Sequence, residues 1–208
     1  MRLENLCHID DLLHWTAERE AIRLRRAAGA PPPWTDDPIM RAWRFCNIRR
    51  SDDRVTRWIS YNWRDPHADD PDVWFAMAVA RLVNWPDTMA ALGYPVPWHP
   101  ERFVAVIASR PAGQAFGPAY NIGNGGQRLP KAEHLASNVL GPLWARRNSL
   151  RPRADDTVHT YYGRLRAMKG FASFMAGQVI ADVKYLMPLR SARDFATFAV
   201  PGPAASVA

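Results

Sequence analysis

Across residues 45–59 the apolar residues Val55, Trp58 and Ile59 recur at i, i+3 and i+4, which commits the segment to a helix with one buried face. On a helix beginning near Asp52, Arg50, Arg54 and Arg57 fall on a neighbouring face, three or four residues apart, where their guanidinium groups can converge. The planar fork of arginine matches phosphate oxygens two at a time, so the cluster suits a phosphate clamp. Asn47 and Asp53 lie in the same run. A solvated helix whose Arg and Asp side chains pair along its surface has the same pattern, and spacing alone leaves both readings open.

The rest of the chain reads as helices too. An amphipathic helix over residues 8–26 ends at Gly29, before the Pro31-Pro32-Pro33 linker, the clearest boundary. This divides the chain into an N-terminal helical extension (1–30), a main helical domain (31–203) and a short tail (204–208). Helices are expected over residues 37–48 and 52–61. Asp70-Pro71-Asp72 reads as a cap with Pro at the first helical position, opening a helix that runs through Ala80 to Asn84. Pro86 starts a short helix that Gly93 closes, and His99-Pro100 opens the next. Residues 111–130 hold Gly113, Gly117, Gly123, Gly125 and Gly126 around Ala119-Tyr120-Asn121-Ile122. Those glycines either let backbone approach a ligand or make a plain flexible loop. Helices resume over residues 131–147, 155–168 and 171–185.

Charge narrows the partner. The net charge is +7, and arginine supplies nearly all of it, the only lysines being Lys131, Lys169 and Lys184. A basic, arginine-rich surface is the footprint of a polyanion partner, although a GC-rich genome that favours Arg over Lys has the same effect. Cys7 and Cys46 are far apart, which argues against a disulfide scaffold and fits a reducing cytoplasm. No signal peptide or membrane span is expected. Most of the nine tryptophans should be core or seam residues. The six histidines lack metal-ligand spacing, so neither a metal nor a cofactor is expected. No Gly-x-x-x-x-Gly-Lys-[Ser/Thr] loop occurs, so the chain should not itself be a P-loop kinase.

The run Asn47-x-x-Arg50-x-x-Asp53-Arg54-Val55-Thr56 is joined by Arg81-Leu82-Val83-Asn84-Trp85-Pro86, by residues 177–185 around Gly177, Gln178 and Asp182, and by Asp194-Phe195-Ala196-Thr197-Phe198. In this order they resemble the helical family of alpha-glutamyl/putrescinyl-thymine pyrophosphorylases and of the helical domain associated with 5-hydroxymethyl-uracil DNA kinases. That family is related to helix-hairpin-helix DNA glycosylases, and the likeness spans about residues 38–203. It implies an all-α, helix-hairpin-helix glycosylase-like domain. It also implies action on a modified thymine in double-stranded phage DNA.

Met168-Lys169-Gly170-Phe171-Ala172-Ser173 resembles the hairpin of that superfamily, with Gly170 as the first glycine and Phe171 as the buried apolar residue. In such a hairpin, backbone N–H groups at the next helix's N-terminus face a DNA phosphate, which makes Lys169, Gly170, Ala172 and Ser173 the candidate DNA contacts. Lys169 stands where the pattern has Pro, and Ala172 where it has a second Gly, a change expected to crowd the phosphate. An ordinary corner between two helices fits the residues as well. Gln178, Asp182 and Tyr185 fall at i, i+4 and i+7, so all can face one cleft. Asp182 is either a general base or a salt-bridge partner of an arginine. Asp194 is its rival as catalytic carboxylate, near where the superfamily carries one, or else a cap of the final helix.

The resemblance implies transfer of an amine, an amino acid or putrescine, onto phosphorylated 5-hydroxymethyl-uracil with loss of phosphate or pyrophosphate. Arg50, Arg54 and Arg57 would clamp the leaving group, with Lys131 counted among the phosphate ligands. Asp182 or Asp194 would take the amine's proton, with Asn47 and Gln178 reading the pyrimidine edge and Tyr120 stacking on an extruded base. Two alternatives are a glycosylase excising a modified pyrimidine and a non-catalytic DNA-binding module that assists a 5-hydroxymethyl-uracil DNA kinase. Lys169 is not at the lyase position. The family's usual Arg-Gly-Leu segment after Gly-Pro-Gly is missing, since Pro201-Gly202-Pro203 runs into Ala204-Ala205 instead.

Overall fold

The computed structural model of the protein describes residues 4–43, 45–118, 126 and 128–200, with side chains from residue 9 onward. Among these every regular element is helical, so the fold is all-α. Its contacts divide the chain into two units, Met1–Arg57 and Trp58–Ala208.

In the first unit, α1 (Glu4–Ala27) carries Arg25 and Arg26 in its last turn, where cations meet the negative end of the helix dipole. Gly29, at φ +76°, turns the chain away. Asp37 caps α2 (Pro38–Ala42), accepting hydrogen bonds from the Ile39 and Met40 amides, and Pro38 occupies the first turn. The helix expected to reach residue 48 stops here, with Trp43 extended. Arg19 is buried and donates to the carbonyls of Phe45 at 2.9 Å and Cys46 at 3.2 Å, which anchors these residues in the non-helical run that follows. A 3-10 turn, Arg50–Asp52, and an extended Asp53 then lead into α3 (Arg54–Ile59).

The second unit is built on α4 (Val73–Val83), every residue of which is buried. This helix opens after Asp72, two positions later than Asp70-Pro71 suggests, because Asp70 Oδ1 accepts the Asp72 amide at 2.8 Å and holds Pro71 in a preceding turn. It ends at Asn84, a left-handed residue at φ 50° whose N–H reaches Ala80 O. The Gly117 amide donates to Val83 O at 2.9 Å, and a Cβ at Gly117 would stand only 2.3 Å from Asn84 O. Gly117 therefore admits the chain's own helix end. Of the other loop residues, 119–125 lie outside the described ones.

Next come α5 (Pro86–Leu92), closed by Gly93, and α6 (Pro100–Ser109), as the prolines indicate. The helix expected over residues 131–147 is broken up. It runs as α7 (Lys131–His134), a wide π-type segment (Leu135–Leu140) and α8 (Gly141–Ala145), followed by α9 (Arg147–Leu150). Pro142 has no N–H to give and its ring collides with a normal α-ladder, so the helix widens before it. Finally α10 (Val158–Arg166), held by a Thr157–Thr160 capping box, is followed by α11 (Ser173–Val183). Helix α11 packs between α4 and α10. Trp74, Phe75, Phe103, Tyr161 and Phe171 fill the core. Trp43 departs from the expected burial at 69% exposure. Among the described residues no helix is long and apolar enough to cross a membrane.

Candidate nucleic-acid interface

The turn between α10 and α11 is set by one glycine. Gly170 sits at φ +85°, a conformation that L side chains rarely adopt, and its missing Cβ makes room for Val139. Phe171 is fully buried beneath the turn and Ala176 is buried one turn into α11. Lys169, Gly170, Ala172 and Ser173 face solvent together. Helix α11 begins with no side-chain cap and no acidic residue in its first turn, so no side-chain charge offsets the positive end of its dipole. Ala172 lies at φ −61° and ψ 174°, open to any residue, and so the backbone there does not require the second glycine of the hairpin pattern.

The three residues expected to share a cleft differ in exposure. Asp182 is 1% exposed, and its two carboxylate oxygens accept from Arg81 Nε at 2.5 Å and Nη2 at 2.6 Å. Gln178 is half-buried on α11, while Tyr185 lies past the helix end and is 48% exposed. The salt-bridge alternative is thus the geometry found for Asp182, with α4 supplying the arginine.

Asp194 is half-buried, and its carboxylate accepts the amides of Val158 at 2.8 Å and His159 at 2.9 Å. It caps α10 from a distant segment rather than the final helix. Burial favours its protonated form, but the His159 and Val158 amides outweigh this and hold the carboxyl below its usual range.

The arginine run belongs to the first unit. Arg54 and Arg57 are exposed on α3, whereas Arg50 is half-buried in the preceding 3-10 turn, off the helix that the spacing placed it on. Asp53 Oδ1 accepts the Thr56 amide at 2.7 Å, capping α3, and Asn47 Nδ2 donates to Asp52 O at 3.0 Å. Asn47 and Asp53 thus both tie down the entry to the helix. Lys131 lies with its ammonium 4.1 Å from the centre of the Phe116 ring, and burial lowers its pKa. Tyr120 lies outside the described residues. Among the described residues no three His, Cys, Asp or Glu side chains gather as a metal site.

Sequence reasoning missed Arg64 and Arg190, which line one cleft with Tyr185 and Phe195. Their neighbours in sequence do not mark them, and only the resemblance around Tyr185 and Phe195 pointed toward that surface.

A 5-hmdU DNA kinase of Bacillus phage SP10 is 32% identical over 148 residues, which is 61% of this chain and 23% of the kinase. The chain thus spans about a quarter of that relative's length. No solved structure matches it. The family described as "5-hmdU DNA kinase, helical domain" matches residues 7–208, and the chain belongs to that family.

Proposed function

We propose that this chain is a DNA-engaging helical module of phage thymine hypermodification, docking on duplex DNA that carries 5-hydroxymethyl-uracil for the chemistry of a DNA kinase. The observation that carries this reading is the α10–α11 hairpin. A left-handed glycine and a buried phenylalanine set the turn, where Lys169 is exposed beside the positive end of a helix that no side chain caps, a combination suited to one backbone phosphate. Kinship with a family named for a kinase acting on 5-hmdU DNA supports the substrate. Asp182 serves here to fasten α11 to α4, since a base must reach its proton and this carboxylate is enclosed by Arg81.

A second reading, amine transfer onto the phosphorylated base, is favoured by one observation. Asp194 is a half-exposed carboxylate held in its charged form and not spent on an ion pair, so it retains lone pairs for an incoming ammonium. In that reaction the amine nitrogen bonds the exocyclic methylene carbon as the bond to phosphate oxygen breaks. Asp194 orients the amine, whose proton passes to the departing phosphate.

Titration of a labelled duplex tests the module. Lys169→Glu should weaken binding and shrink the salt-dependence slope by about 1, the contribution of one lost phosphate contact. An unchanged slope and affinity would overturn the docking role. Nucleoside mass spectrometry of kinase-treated DNA incubated with the protein and amines decides the second reading. An adduct lost in Asp194→Asn supports transfer, and an unchanged nucleoside profile rejects it.

A further inference from the structure

A cleft of about 510 Å³ opens on the second unit, lined by Arg64, Asp65, Tyr185, Arg190 and Phe195. That volume lies within the roughly 300–1,000 Å³ of small-molecule sites. Its walls combine two chemistries. Tyr185 keeps nearly half its surface exposed and meets the Phe195 ring edge-to-face at 5.8 Å. The guanidinium of Arg64 lies over Tyr185 at 5.3 Å and its Nε donates to Asp65 at 2.7 Å, which fixes its orientation. The guanidinium of Arg190 bonds to no described residue. Lys184, next to Tyr185, sends its ammonium to Phe195 O at 2.9 Å, adding positive charge at the rim while steadying Phe195. Arg64, Arg190 and Lys184 against Asp65 leave the region cationic.

A half-exposed aromatic side chain beside guanidinium groups is the pairing that holds an unstacked nucleotide: ring on ring for the base, forked donors for the phosphate. Asp65 adds an acceptor, as a base N–H requires. We infer that this cleft binds one nucleotide unit, its base against Tyr185 and its phosphate at Arg190 and Arg64. The unit comes either from a single-stranded or extruded segment of DNA or from a free mononucleotide, since both present the same base and phosphate. The inference rests on the cleft alone and not on the hairpin, so either can fail without the other.

The test uses the full chain and calorimetric titration with dTMP, thymidine and a dT oligonucleotide. Arg190→Ala, an exposed change that leaves the core intact, should weaken dTMP or the oligonucleotide about tenfold while leaving any thymidine binding unchanged. Tyr185→Ser should weaken both nucleoside and nucleotide by roughly fivefold or more, and Tyr185→Phe should restore them. Oligonucleotide binding without dTMP binding assigns the cleft to a strand. Equal affinity for both assigns it to the free nucleotide. Neither ligand binding at millimolar concentration, or binding indifferent to Arg190→Ala and Tyr185→Ser, would overturn the inference.

Discussion

Arg81 of α4 and Asp182 of α11, 101 positions apart, join through two hydrogen bonds in a site from which water is almost wholly excluded. The pair ties α11 to the fully buried α4. Both residues lie in segments that resemble the family, which gives those segments an architectural meaning.

Removing one partner strands a buried charge. Arg81→Met or Asp182→Leu alone should destabilise the protein by about 3–5 kcal/mol, whereas the double replacement should recover most of the loss. Urea unfolding of the three variants checks this. Additive losses in the double variant would mean that the two side chains do not depend on each other.

Gly117 offers a second, sharper test. Alanine there would bring a Cβ to 2.3 Å from Asn84 O, and backbone on both sides cannot retreat. Gly117→Ala should cost at least about 1–3 kcal/mol. Gly113→Ala, at φ +75° but with open space around it, should cost only the left-handed penalty of about 1–2 kcal/mol. Thermal melts should rank the two in that order.

Asp194 predicts a pH dependence. Its folded carboxyl titrates below its ordinary value of about 3.9, so the cap's contribution is fully present above that value and is lost as pH falls through the lower, folded value. Asp194→Asn should therefore narrow the stability gap between neutral and acid pH. At neutral pH the loss should be about 0.5–1 kcal/mol, allowing for solvent screening of a half-exposed group. An unchanged acid limb of the unfolding profile would contradict the cap.

What the sequence made legible was local. Pro86, Gly93 and Pro100 mark helix ends because they act through their own backbone, and the hairpin at Gly170 is visible for the same reason. Distant partners were not. An arginine partner for Asp182 was foreseeable as a type, but nothing near Asp182 names Arg81. The non-helical run past α2 is anchored by Arg19 through the carbonyls of Phe45 and Cys46, and the order of residues 37–48 carries no trace of it. The candidate cleft suffered most, since Arg64 and Arg190 acquire meaning only when folding brings them beside Tyr185.

The hairpin's role is tested most directly by Ser173→Asp, measured for stability and for duplex binding side by side. A carboxylate in the first turn of α11 suits the helix dipole, so the variant should fold at least as well as the parent, gaining about 0.3–1 kcal/mol. The same charge would occupy the place of a DNA phosphate, and affinity for a 5-hydroxymethyl-uracil duplex should fall at least about tenfold. A folded variant that binds the duplex as tightly as the parent would contradict docking through this hairpin.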